Sequence, residues 1–144
     1  MNPAVSNRAS GHVFARLLCA IALLLAIPTA AQSPANDSDI HLVVADPKLG
    51  GSMIVEFPSD TCTAAAAPSL RAAMTQARTD LATACGGEAG SKPVTLTGSA
   101  TISGVGFFDV IHGQAGVAPN GIELHPALTF TSTNCQRVTV KHRG

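Results

Sequence analysis

Seven side chains in this sequence have types that could do chemistry: Asp39, His41, Glu56, Asp109, His112, Glu123 and His125. They fall in two groups. Asp39-x-His41 opens one apolar run, and Glu56 lies near the end of the next. Asp109-x2-His112-Gly113-Gln114 comes later, followed by Glu123-x-His125. Glu123 and His125 are two apart on an expected strand, so both project from one face, with Ile122 and Leu124 on the other. His41, His112 and His125, with Asp109 or Glu123, offer nitrogen and oxygen ligands for a metal. The same atoms suit acid–base work, because imidazoles that titrate near neutrality and are oriented by carboxylates can cleave a phosphodiester or glycosidic bond. A structural reading also stands, in which His125, before Pro126, holds a loop backbone. In that reading Asp109 and His112 fasten a glycine-rich loop through local bonds. No local motif decides among the three. The glycines are not followed by the Lys-Ser/Thr of a phosphate loop, and there is no G-x-S-x-G, C-x-x-C or H-x3-H spacing. No cofactor is expected.

The elements that must position these groups follow from periodicity. Ile40 to Ala45 and Met53 to Phe57 are apolar, β-branched runs joined by a turn containing Gly50 and Gly51, which predicts an antiparallel hairpin. Leu70, Ala73, Met74, Ala77, Leu81 and Ala84 recur at spacings of three and four, which predicts a helix with one apolar stripe. Ser69 is the expected N-cap and Gly86-Gly87 the stop. The stripe is built of small residues, so the helix should lie close against a sheet. Val94 to Phe108 reads as extended chain bent at its glycines, with one of Phe107 and Phe108 in the core. A long loop spans Asp109 to Gly121, a strand covers Ile122 to Phe130, and Val138 to Val140 is a candidate last strand. The order strand, strand, helix, strand, strand fits a curled antiparallel sheet over one helix. It matches a five-stranded oligonucleotide/oligosaccharide-binding (OB) barrel whose first strand is missing.

The N-terminal segment reads as an export signal. Arg8, His12 and Arg16 precede the unbroken apolar run Leu17 to Ile27, then Pro28 and the small residues Thr29, Ala30 and Ala31. This is the three-part layout of a secretory leader cut after Ala31. Eleven apolar residues make a helix of about 16 Å, too short for a membrane core of roughly 30 Å. The expected organisation is therefore a signal peptide over 1–31, a linker over 32–38, an OB-like domain over 39–130 and a polar tail over 131–144. A periplasmic or secreted location follows. In that oxidising compartment Cys62, Cys85 and Cys135 leave one thiol over. Cys62 and Cys85 bracket the helix, and their pairing is the preferred disulfide. It would close a loop of about 24 residues and contribute on the order of 3 kcal/mol.

Composition limits the function classes. The 144 residues hold nine Lys/Arg and nine Asp/Glu, are 46% hydrophobic and only 12% charged. That length allows one domain. A highly charged disordered chain and a nucleic-acid binder acting through net charge are both excluded. Removal of the leader takes away Arg8 and Arg16 but no acidic residue. The remaining chain is slightly acidic and a poor match for phosphate backbones. No second long apolar run exists, so nothing spans a membrane after export.

At Asp39 to Pro47 (DIHLVVADP), Met53 to Pro58 (MIVEFP) and Gly104 to Pro126 (GVGFFDVIHGQAGVAPNGIELHP), the chain resembles a family of small exported bacterial proteins similar to OB-type barrels. The resemblance covers residues 37–130 and implies export and a small β fold. It brings no substrate and no site residue. It also implies a further strand ahead of Asp39, where only a short linker follows the leader; a barrel lacking that strand has an open edge. The expected function is therefore an exported OB-like binding or structural module for an unidentified ligand or protein partner. A second copy paired at the open edge is one such partner. The alternatives are a metal-dependent hydrolase or nuclease-like enzyme using the His/acid cluster, and an interaction module completed by a partner's strand.

Overall fold

A computed structural model describes residues 25–30, 38–46, 50–87 and 93–138. The elements run β1 (Leu25–Ala30), β2 (Ile40–Asp46), β3 (Gly51–Phe57), α1 (Pro68–Ala84), β4 (Thr95–Gly98), β5 (Thr101–Phe108), β6 (Ile122–Thr131) and β7 (Gln136–Arg137). The fold is mainly β with one helix, as the sequence predicts. Its strands form two open sheets, one of order β2-β3-β6-β5 and one of order β1-β4-β7. The hairpin is present: β2 and β3 pair antiparallel from Ile40↔Phe57 to Asp46↔Gly51. One pairing departs from the antiparallel expectation, because β3 runs parallel to β6, with Val55 opposite Leu124. The chain between β3 and β6 includes the helix, β4 and β5, long enough for the crossover that a parallel pair requires.

Strand alternation sorts the larger sheet into two faces. Ile40, Leu42, Val55, Phe57 and Leu124 enter the core together with Ala77 and Leu81 of the helix, and Ala127 and Phe130 complete it. Phe57 meets Phe130 edge-on, with ring centroids 6.0 Å apart. The odd-numbered residues of β2 and their partners on β3 and β6 look out on the opposite face. Met74, Ala77 and Leu81 are the buried helix residues, so the small-residue stripe packs as expected. Leu70, at its N-terminal end, is exposed.

The helix starts one residue before the expected cap. Ala67 is the N-cap without a side-chain bond, and Pro68 occupies the first turn, where its missing N–H is no loss. Arg78 ties the helix to the sheet by donating to the carbonyls of Ser38 and Phe57, both at 3.1 Å. The C-terminal stop is as predicted, with Gly86 and Gly87 at φ of 81° and 109°.

The disulfide is a correction. Cys85 bonds Cys135, and Cys62 is an exposed thiol outside the disulfide. The helix explains why Cys62 and Cys85 do not pair. Its 17 residues separate its two ends by about 25 Å, whereas a disulfide needs Cα atoms closer than about 7 Å. Cys135 instead arrives beside Cys85 because β7 pairs with β4 through Leu96↔Arg137 and Thr97↔Gln136. Arg137 adds hydrogen bonds to the carbonyls of Cys85 and Gly87. The polar segment after Thr131 is thus fastened to the domain, and its strand lies at 136–137, just before the expected Val138 to Val140.

Val94 to Phe108 divides into two strands. The break falls where Gly98 takes a φ of 128° and where a Cβ would lie 2.5 Å from the Asn134 carbonyl oxygen. Only glycine allows that approach. Asn134 fixes the turn by accepting the Ser99 N–H at 2.8 Å.

Most of the expected leader and its cut after Ala31 lie outside the described residues. Its last apolar residues, Leu25–Ala30, form a strand antiparallel to β4. Among the described residues no helix is long and apolar enough to cross a membrane.

Candidate functional site

Five of the seven expected polar residues meet on the sheet face opposite the core. Asp39 precedes β2 and His41 lies in it, opposite Glu56 of β3. Glu123 and His125 come from β6. Glu56 is the hub. Its Oε1 lies 3.1 Å from His41 Nε2 and its Oε2 lies 2.8 Å from His125 Nδ1. The same His125 Nδ1 lies 3.2 Å from Glu123 Oε1. Asp39 Oδ1 accepts the Ser59 N–H at 2.7 Å. One ligand atom each of Asp39, Glu56 and His125 lie within 4.8 Å of one another. Asp39, Glu56 and Glu123 are buried while His41 and His125 are half-buried, so the carboxylates form the floor and the imidazoles the rim.

Burial beside like charge sets the protonation of this group. Glu123 is raised above the ordinary carboxylate value, first by burial and then by the Glu56 charge. His125 is raised from its ordinary 6.5 to about 9, first by its hydrogen bond to Glu56 and against the opposing effect of burial. His125 therefore carries a proton at neutral pH and joins two carboxylates through one N–H. Among the described residues every buried side-chain nitrogen and oxygen has a partner.

This yields a pH prediction. A group whose folded pKa is raised stabilises the fold fully below its unfolded value and loses that contribution as pH rises through its folded value. For His125 the loss runs from 6.5 to about 9. Glu123 acts in the same direction over a window that begins at 4.5. The thermal midpoint, measured in chelator, is expected to fall between pH 6.5 and 9, and His125→Gln to flatten that slope. A midpoint that rises over this interval contradicts the assigned proton.

The remaining pair lies apart. His112 is well exposed on the long loop, 3.6 Å from Asp109. Asp109 borders the cluster closely enough for its charge to act on Glu123. The three histidines expected to converge do not form a group of ligand atoms; the group that forms among the described residues is Asp39, Glu56 and His125. The loop itself folds as the structural reading predicts. Gln114 donates to Asp109 and to the Val110 carbonyl, and its Oε1 accepts the His112 N–H. The Asp109 N–H closes the loop on the Gly121 carbonyl at 2.9 Å. Gly116 lies flat on Val43, where a Cβ would come within 2.3 Å of that side chain. The loop thereby covers the Val43 end of the polar face and leaves the His41 end open.

An apolar strip borders the cluster. Phe107 lies opposite Glu123 and sets its ring edge-on to His125, with centroids 5.7 Å apart. Phe108, Val110 and Ile111 continue it, and Val105 begins it. All five are exposed, Phe108 by 68% and Val110 by 76%. Neither phenylalanine is in the core, contrary to expectation. Strand β5 is at the sheet edge, and the core that buries its Ile102 does not extend to its last residues. The signal for this was present in the run Val105 to Ile111, which is apolar at both strand parities apart from Gly106 and Asp109. A half-buried strand alternates; this one does not.

No family model, no curated protein and no solved structure matches this chain.

Proposed function

We propose that the protein is an exported interaction module that pairs with a second copy of itself through the β5 edge and the Val105–Ile111 strip. The observation that carries this reading is the strip itself: five exposed large apolar residues within seven positions, on a strand at the edge of its sheet. Large apolar side chains exposed on both faces of an edge strand and in the loop after it mark an interaction site. An open edge strand adds main-chain donors and acceptors for pairing with another strand. A two-fold arrangement places the same patch on both subunits, so one apolar strip suffices to cover the other. The open, mainly β fold with one helix fits a small binding domain of this type. The leader-like N-terminus and the Cys85–Cys135 bond fit an oxidising compartment outside the cytoplasm. Cleavage after Ala31 would also remove β1 and leave β4 as an edge of its sheet.

Sedimentation velocity over a range of protein concentrations tests the reading. The wild-type chain is expected to form a dimer, and Phe108→Ser with Val110→Ser to weaken it by about 100-fold, since two buried apolar side chains are removed from the interface. These side chains are exposed in the monomer, so the variant should keep the thermal midpoint of the wild type at dilutions where it is monomeric, without the rise that dimerisation adds at higher concentration. A wild-type chain that stays monomeric at every concentration overturns the proposal.

A further inference from the structure

We infer that Asp39, Glu56 and His125 form a binding site for one first-row divalent cation of the zinc type. The three ligand atoms come from the residue before β2, the end of β3 and the middle of β6 and lie within 4.8 Å of one another. Paired strands of one sheet hold Glu56 and His125 and flank Asp39, which is a more rigid support than a loop. Two of the three are buried carboxylates, and buried charge is stable only where it is paired or ligated to a metal. Ligands about 2.1 Å from a tetrahedral zinc stand about 3.4 Å from one another. His125 Nδ1 and Glu56 Oε2 lie 2.8 Å apart and the whole group within 4.8 Å, so side-chain adjustments on the order of an ångström separate the present geometry from coordination.

The donor chemistry selects the ion. One imidazole nitrogen and two carboxylate oxygens suit zinc, cobalt or manganese better than a soft, thiolate-seeking ion. The cation displaces the Nδ1 proton of His125, which leaves to solvent, and takes the place of the hydrogen bond that now joins His125 to Glu56. His41, 3.1 Å from the other Glu56 oxygen, orients that carboxylate in the manner of an outer-shell partner. This assignment concerns the polar face alone and stands or falls independently of pairing at β5.

The probes are Zn2+ in calorimetric titration and Co2+ in visible absorption, each added to the purified protein after chelation. The expected result is one ion per chain, with no sulfur-to-cobalt charge-transfer band. Glu56→Gln and His125→Ala should each weaken binding by at least about tenfold, the loss that even an outer-shell change produces. His112→Ala should leave it unchanged. Imidazole NMR signals of the wild-type protein give a readout that does not depend on any variant folding, and Zn2+ should shift His125 and leave His112 in place. Failure of the wild-type protein to take up either ion overturns the assignment. So does binding that survives both Glu56→Gln and His125→Ala, that is lost in His112→Ala, or that moves the His112 signals instead of those of His125.

Discussion

A Cys135→Ser variant is expected to lose about 4 kcal/mol of stability. The Cys85–Cys135 bond spans a sequence separation of 50, and closing a loop of that length restricts the unfolded chain by about 4 kcal/mol in the chain-entropy model. Cys85 is also a buried member of the core, so its sulfur contributes packing that Cys135→Ser leaves in place and Cys85→Ser disturbs. The expected order is therefore wild type, then Cys135→Ser, then Cys85→Ser. Cys62→Ser should be close to neutral, because Cys62 is exposed and lies outside the disulfide. Urea unfolding of the three variants checks this order. A Cys62→Ser variant as unstable as Cys135→Ser would mean that Cys62 is part of the disulfide.

Phe57→Ala is expected to cost about 3–5 kcal/mol, the range for removing a fully buried aromatic side chain. Phe57 has no exposed surface and stands where three elements meet. It is opposite Ile40 on β2, edge-on to Phe130 of β6, and its carbonyl accepts from Arg78 of the helix. No neighbour can swing into the space it leaves without breaking one of those contacts. The conservative Phe57→Leu should recover more than half of the loss, because much of the volume remains. Chemical denaturation measures both. A loss below about 1 kcal/mol for Phe57→Ala, the level of an exposed substitution, would contradict its place at the centre of the core.

The fold was readable where one period dominates a segment. Alternation gave β2 and β3, and the three-four spacing gave α1 with its buried Met74, Ala77 and Leu81. What was not readable is long-range. The parallel pairing of β3 with β6 and the return of β7 to β4 join residues far apart in sequence, and no local pattern encodes them. The disulfide was misread for the same reason. Cys62 and Cys85 are near in sequence, yet a helix between two residues holds them apart as a spacer. One of Phe107 and Phe108 is expected in the core by residue type, yet both are exposed. An edge strand without a covering layer leaves them in water.

The polar face was partly readable. Spacing puts Glu123 and His125 on one face, and residue type singles out the five that meet there together with Asp109 and His112. It could not give Glu56 its place at the centre, because that depends on the register His41↔Glu56 and on the parallel alignment with β6. His112 was grouped with the others by type, and the loop bonds of Gln114 place it with Asp109 instead.

Amide hydrogen exchange followed against protein concentration tests the central claim, that the β5 edge and its apolar strip are an interaction face. The account predicts that amides of residues 105–111 gain protection as concentration rises, while those of β3, already paired on both sides, stay constant. The same should not occur in the Phe108→Ser, Val110→Ser variant. Exchange at 105–111 that is identical at every concentration would contradict the account.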